Sequence, residues 1–468
     1  MKSLISNYKF LVLLTFVILN FCPVQAKMTK PKTSAAPPDL KEILNKYKIS
    51  PADISLQILK DDKVILSHDS EAKKIPASVS KLLTSYAILK RLPPGHRFYT
   101  RLYFDGKNIY LKGGGDPSFV SENMWFLVNE MSRGSLKSIR GDIIVDDSLF
   151  DDIRYDQSRE PTRVDRAYDA PVGAMSFNWN SVNVFVSPTE ISKKARVIVD
   201  PQSGYFDLIN NATTVSYNPK SELSVNVSNS QRIITVSGEV KETAVEKAIF
   251  KNVETPDIWA GVNLKFFLAQ RGISVGGVVR NGITPANSEL IASYESKSLA
   301  HILGDMNKFS NNFVAEMLTK SLAVEEGKRA SLKRGVEIIR EELKKIDLDE
   351  RRVVIANPSG LTRDNSFSAA SLNKVLIEIK NDFSIFPTFV DSLPIAGIDG
   401  TLKRRLKGTE AEGWIRAKTG YLTDVVSLSG YAGRRDGQLL TFTFLYNGPR
   451  DEGIVREAFD QILLSRLK

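Results

Sequence analysis

The chain has 468 residues, a formal net charge of +10 and a single cysteine, Cys22. One cysteine excludes an internal disulfide framework, and without a dense Lys/Arg run interleaved with aromatics a nucleic-acid partner is not expected. The length fits two to three domains, and the basic balance fits an anionic cell envelope or simply a soluble surface.

The N-terminus reads as an export signal. Lys2 and Lys9 precede an almost unbroken apolar run of 12 residues, Phe10 to Phe21, and Val24-Gln25-Ala26 offers a small-residue cleavage site. The run is shorter than the ~20 residues a membrane-spanning helix needs. Cys22 raises a lipid anchor as the alternative, but Asn20 and Phe21 are poor residues for one. Residues 1–26 are therefore expected to be a signal peptide, leaving a mature chain of 442 residues with charge +8, no cysteine and no transmembrane anchor. A Lys/Thr/Ala/Pro-rich leader follows over 27–38.

Helical spacing runs from Asp39 to Lys48, and Ile54 to His68 alternates as two strands around Asp61-Asp62. Ser78 to Leu92 has a helical apolar pattern, stopped by Pro93-Pro94-Gly95. Residues 98–150 read as short strands around Gly113-Gly114-Gly115-Asp116-Pro117. A Val/Thr/Asn/Ser-rich texture over 182–240 reads as a small all-β module, and Ala244 to Gly272 reads as helix. Helices are expected near 297–306, 312–325, 329–345 and 369–380. Strands are expected at Ile415–Lys418, Val425–Gly433 and Leu439–Tyr446, the last two joined by a hairpin at Arg434-Arg435-Asp436-Gly437. Asp451 to Leu467 closes as an amphipathic helix, expected to pack on the sheet rather than on a membrane because its polar face carries Glu452, Glu457 and Asp460 beside Arg456. Strands at both chain ends flank one helical block, so the simplest fold is α+β, with one shared antiparallel sheet and the middle of the chain inserted.

Three short patterns carry the chemistry: Ser78-Val79-Ser80-Lys81, Ser310-Asn311-Asn312 and Lys418-Thr419-Gly420. Singly they are weak. Ser-x-x-Lys also begins at Ser70 and Ser371, and Ser-x-Asn at Ser121 and Ser224, whereas Lys-Thr-Gly occurs once. Residues three apart share a helix face, so Lys81 can reach the Ser78 hydroxyl. A serine becomes a nucleophile only when a base takes its proton. A lysine serves as that base only when neutral, which burial and a second cation both favour; Lys418 is the candidate cation. The plain reading is that Ser78 and Ser80 cap a helix and Lys81 is solvated. Ser310 and Asn312 lie between two helices, where a hydroxyl relays a proton and an amide holds a substrate amide, or where they merely cap the next helix. Lys418-Thr419-Gly420 lies on a strand that can pair with an extended peptide. Gly420 permits close approach there, and the Tyr421 N–H is the second oxyanion donor beside the one at the helix start.

In this order the three patterns are those of penicillin-binding proteins and serine β-lactamases. The chain resembles, along nearly its whole mature length, the penicillin-binding protein 4 type of D-alanyl-D-alanine carboxypeptidase/endopeptidase (low-molecular-mass class C). The resemblance rests on Ile75-Pro76-Ala77-Ser78, Arg97-Phe98-Tyr99-Thr100, Gly113 to Pro117, Asp146-Asp147-Ser148-Leu149-Phe150, Ala170-Pro171-Val172-Gly173-Ala174 and Asn178-Trp179-Asn180. It continues through Asn307-Lys308, Ala315-Glu316, Ser359-Gly360-Leu361, Leu393 to Gly397 and Asp399-Gly400-Thr401-Leu402. It implies a serine β-lactamase/transpeptidase-like domain (27–95 and 286–468) and an inserted domain (96–185 and 243–285) with a β-rich domain nested in it (186–242). The gap of roughly 230 residues between Lys81 and Ser310 agrees with such insertions. It further implies a periplasmic or secreted serine peptidase without cofactor or metal, acting on peptidoglycan stem peptides through an acyl-enzyme on Ser78 and inhibited by β-lactams. Catalytic residues would be Ser78, Lys81, Ser310, Asn312 and Lys418, and substrate-binding residues Thr419, Gly420 and Tyr421. Asp165 is the nearest match to an aspartate that the family places near its cleft, with Asp169 competing. Where Tyr421 stands, the family usually has a hydroxyl residue, most often Thr, that resembles a ligand for the terminal carboxylate of D-alanine.

A zinc peptidase needs clustered His and acidic ligands, but His68, His96 and His301 are far apart. A Ser-His-Asp hydrolase would show a G-x-S-x-G elbow, and none is present. The remaining alternative is a catalytically weak or inactive peptidoglycan-binding relative, against which the intact Ser78, Lys81, Ser310, Asn312 and Lys418 argue.

Overall fold

The computed structural model describes residues 39–467 apart from Ser135, Arg163 and Glu326, with the backbone only for Glu160, Pro161 and Thr162. The expected signal peptide and leader lie outside the described residues.

The strands at the two ends of the chain do share a sheet. Its order is 415–422, 425–433, 439–447, 54–60, 63–68, and every neighbouring pair is antiparallel. Val425–Gly433 and Leu439–Asn447 are buried along nearly their whole length, as strands covered on both faces must be. One face packs on helices Ser80–Arg91, Leu299–Lys308, Asn312–Ser321, Leu332–Lys344 and Ala369–Asn381, with Tyr431 and Leu445 reaching into that core. The other face is covered by helices Leu40–Tyr47 and Glu452–Leu467, whose Val455, Phe459, Ile462 and Leu463 are buried against Phe442 and Phe444. The apolar stripe of the last helix is thus used up on the sheet. Each fully buried side chain of this size contributes roughly 1.5–3 kcal/mol before entropy is counted. The outer side of edge strand 415–422 is bridged by Ile395 opposite Arg416, and from Lys418 onward it has no strand partner among the described residues.

Residues 99–295 build a second core of their own around Trp259, Phe177 and Phe119. It includes a mixed five-stranded sheet (279–281, 143–146, 109–112, 99–104, 289–295) and small sheets formed from 181–252. Two expectations need correction. Ala244 to Gly272 is not one helix: Lys247–Asn252 is a strand antiparallel to Ser181–Ser187, and the helix begins at Pro256. Proline at the first turn lacks only an N–H that the turn would leave unpaired anyway, so it starts a helix and cannot continue one. Within the stretch read as strands, Ser121–Ser132 is a helix. Its buried Met124, Leu127, Val128 and Met131 follow the i, i+3, i+4, i+7 spacing of a helix face.

Candidate active site

Ser78 lies on a 3₁₀ turn, Ala77–Val79, directly ahead of helix Ser80–Arg91. The turn is strained: Ala77 has φ of 50°, a left-handed conformation that a side chain disfavours. Remote parts of the chain hold it there. Ser427 donates its hydroxyl to the Pro76 carbonyl at 2.7 Å, Ser80 donates to the Ala77 carbonyl at 2.8 Å, and the Asn365 amide donates to the Ser80 hydroxyl at 2.9 Å. Two glycines press on it. A Cβ at Gly360 would stand 2.0 Å from the Ala77 carbonyl oxygen, and one at Gly420 would stand 3.1 Å from the Ser78 nitrogen. Gly420 is therefore required by the close approach of the edge strand to the nucleophile turn.

Lys81, one turn into the helix, is completely buried. Its Nζ lies 3.2 Å from the Ser78 hydroxyl, 2.7 Å from Asn312 Oδ1 and 2.6 Å from the Ser359 carbonyl oxygen. Burial holds this lysine well below its ordinary range; the charge of Lys418 pushes the same way, Glu316 opposes, and Arg159 adds to the lowering. A neutral amine has two N–H groups and one lone pair. The two shortest contacts are to oxygens that can only accept, so both hydrogens are taken and the lone pair is left for the Ser78 hydroxyl. That is the geometry of a base.

Lys418, on strand 415–422, is equally buried and pushed down to about 7 by burial. It donates to the Ser310 hydroxyl at 2.7 Å and the Thr419 carbonyl at 2.8 Å. Ser310 has φ of 56°. The cap of helix Asn312–Ser321 is Asn311, whose side chain accepts from the Val314 N–H at 3.1 Å. With the capping done by Asn311, Ser310 and Asn312 are free to face the two lysines.

A cleft of about 550 Å³ opens on this cluster, lined by Ser78, Ser310, Thr401, Thr419, Gly420, Tyr421 and four cations, Lys403, Arg404, Arg405 and Arg456. Thr419 shares a hydroxyl hydrogen bond of 2.8 Å with Thr401. Tyr421 is 53% exposed, and the Arg456 guanidinium stands 5.6 Å from its ring centroid. Asp165 is not brought among these residues. Its carboxylate pairs with Lys251, and it lines a separate pocket with Val227 to Ser230. Asp169 is buried and held by the Arg159 guanidinium and the Val164 N–H.

Several participants went unpredicted: Thr401, the four cations, and a buried group behind Lys81 made of Glu316, Ser359, Asn357, Arg159 and Asp156. The last had a signal. Glu316 sits in the apolar run Phe313-Val314-Ala315-Glu316-Met317-Leu318, where an acid must find buried partners.

The family model for D-Ala-D-Ala carboxypeptidase 3 (S13) matches residues 37–465. The D-alanyl-D-alanine carboxypeptidase of Actinomadura sp. is 30% identical over 409 residues, 82% of this chain and 75% of the relative. That of Haemophilus influenzae is 25% identical over 407 residues, 83% of this chain and 84% of its own. The crystal structure of penicillin-binding protein 4 from Haemophilus influenzae superposes with a TM-score of 0.77 at 23% identity, covering 92% of this chain and 99% of that one. The chain belongs to the S13 family of D-Ala-D-Ala carboxypeptidases. Its α+β architecture is that of penicillin-binding protein 4.

Proposed function

We propose that the protein is a serine D,D-peptidase of peptidoglycan, acting as endopeptidase, carboxypeptidase or both through an acyl-enzyme on Ser78. Neutral Lys81 takes the Ser78 proton as the hydroxyl attacks the carbonyl of a D-alanyl bond. The oxyanion is met by the backbone N–H groups of Ser78 and Tyr421. The proton reaches the leaving amine by way of Ser310, polarised by Lys418, and the amine departs. Water then attacks the ester, giving up a proton to Lys81; the Ser78–acyl bond breaks, Lys81 returns that proton to the Ser78 oxygen, and the peptide leaves as a carboxylic acid. Asn312 holds Lys81 through Oδ1, and its amide nitrogen, which donates one N–H to the Tyr168 carbonyl at 3.4 Å, has a second N–H for the substrate. Thr419, Gly420 and Tyr421 supply the strand beside which the peptide lies.

The observation that carries this reading is the buried Lys81 with its two hydrogens occupied and Ser78 at 3.2 Å. β-Lactams should occupy the same position and remain as stable esters. The chain organisation that goes with the reading is a signal peptide over 1–26 that exports the protein to the cell envelope, a catalytic domain of 27–95 and 286–468, an inserted domain of 96–185 and 243–285, and a β-rich domain of 186–242. Among the described residues no helix is long and apolar enough to cross a membrane. Incubation with penicillin followed by peptide mass spectrometry should place one adduct on the Ser78 peptide, and Ser78→Ala should abolish it. A label elsewhere overturns the assignment of Ser78, and no label at all overturns it in favour of the inactive binding relative.

A further inference from the structure

Asn312 and Glu316 are four residues apart on helix Asn312–Ser321, hence on one face. Asn312 touches Lys81 directly; Glu316 reaches it through one residue. The buried Glu316 carboxylate oxygen Oε1 faces the Ser359 hydroxyl at 3.1 Å, a hydroxyl it shares with Asn357 Oδ1 at 2.5 Å, and receives the Asn357 amide at 3.3 Å and the Arg159 guanidinium at 3.4 Å. Burial pushes the Glu316 carboxyl above its ordinary range and the Asp156 charge adds to this, while Arg159, Asn357 and Ser359 oppose both; donors converging on one oxygen are what an ionised carboxylate needs to persist there. Ser359 in turn gives its carbonyl to Lys81 at 2.6 Å. Asn357 locks the same turn: its Oδ1 accepts from the Ser359 and Gly360 N–H groups at 2.8 and 2.9 Å, and its amide also donates to Asp156 at 2.9 Å.

We propose that Glu316 is a positioning residue for Lys81: its carboxylate fixes the Ser359 turn that orients the lysine, and its negative charge sets the pH at which the lysine can accept the serine proton. This rests on the reading of Lys81 as the base. The charged groups facing the pair are few. Lys418 comes from the edge strand, Arg159 and Asp156 from the segment around 3₁₀ turn Gln157–Thr162, and Asp169, which pairs with Arg159, from the turn after it. Asp169 already holds Arg159, and of the two remaining acids, Asp156 and Glu316, it is Glu316 whose charge acts on Lys81. The sign follows. An anion near a lysine favours its protonated form, so removing the charge moves deprotonation of Lys81 to lower pH.

The test is the rate of acylation by a fluorescent penicillin from about pH 5 to about pH 9, in the full chain, for wild type, Glu316→Gln, Glu316→Asp and Ser359→Ala. Glu316→Gln, nearly the same shape, should move the acidic limb of the profile to lower pH. Glu316→Asp, which keeps the charge, should leave the limb near its wild-type position while lowering the plateau. Ser359→Ala keeps every charge and the carbonyl but cuts the tether, so it should lower the plateau several-fold with the limb unmoved. A purely structural Glu316 predicts the reverse ranking, with Gln benign and Asp harmful and no movement of the limb in either; that result overturns the proposal. A wild-type plateau in Ser359→Ala overturns its positioning half, and this variant carries the test if Glu316→Gln does not fold. Wild type that takes no label overturns the Ser78 reading and this one with it, whereas a labelled wild type with an unmoved limb in Glu316→Gln overturns this one alone.

Discussion

Replacing Gly420 with alanine tests how tightly the nucleophile is held. The added Cβ would stand 2.1 Å from the Ser427 hydroxyl oxygen, 2.7 Å from the Pro76 carbonyl oxygen and 3.1 Å from the Ser78 nitrogen. The first two are well inside contact distance, and Ser427 cannot simply swing away, because its hydroxyl anchors Pro76 at 2.7 Å. Overpacking of this kind costs about 1–3 kcal/mol, and the lost Ser427–Pro76 hydrogen bond about 1 kcal/mol more. The strand and the Pro76–Ser78 turn must therefore part. A displacement of ~1 Å at the reacting atoms can cost about 100-fold in rate, so Gly420→Ala should be acylated by penicillin roughly 100-fold more slowly, with a lowered urea midpoint. Adding Ser427→Ala removes the closest contact but leaves the Pro76 carbonyl, so the double variant should regain part of the stability and less of the rate. Stopped-flow acylation and equilibrium unfolding read the two effects. If Gly420→Ala keeps wild-type rate and midpoint, the turn is not gripped as described.

Lys418, pushed down to about 7 against 10.5 for a free lysine, binds fewer protons folded than unfolded between those values. Stability should therefore rise with pH across that window, by at most about 1.4 kcal/mol per pH unit from this group. It should level off below about pH 7, where the folded protein also carries the proton. Lys418→Met should flatten the slope, leaving the parallel contributions of Lys81 and Lys320; an unchanged slope in urea titrations would refute a buried, proton-poor Lys418. Tyr421 presents an exposed ring to the cleft, a surface on which a chain continuing past the scissile bond can pack, so cleavage of a cross-linked dimer should outpace release of terminal D-alanine from a pentapeptide. Tyr421→Thr should swing the kcat/KM ratio toward the pentapeptide, and a ratio that does not move removes Tyr421 from specificity.

Much of the site could be read before any coordinates because its three motifs are local devices. Ser78 and Lys81 meet by helix spacing, and Lys418 to Tyr421 by strand geometry. What stayed hidden depends on closure over long sequence distances. Nothing in Ile75-Pro76-Ala77 announces a positive φ at Ala77; the strain is imposed by Gly360, Gly420 and Ser427 from two other segments. The capping alternative for Ser310 and Asn312 was open in sequence because Asn311 between them is an equally good cap, and the Val314 contact decides it. Asp165 rested on a loose local match, and no spacing rule could say that Lys251, 86 residues on, takes its carboxylate. The helix at Ser121–Ser132 was legible but lay among stronger turn and strand signals, whereas Lys247–Asn252 owes its strand state to pairing with Ser181–Ser187, a tertiary fact.

The buried charges explain why so many segments must converge. Lys81 and Lys418, both fully buried, are costly as ammonium ions, so a partly assembled chain would keep them wet and protonated. Lys81 loses water only when helix Ser80–Arg91 is covered by Asn312 and the Ser359 turn, and Lys418 only when the edge strand closes on Ser310. The same events supply the acceptors that take the hydrogens of Lys81 and point its lone pair at Ser78. Burial lowers the affinity of the lysine for its proton, and the accompanying hydrogen bonds orient what remains, so the lowered proton affinity that the proposed base needs arises only in the completed fold.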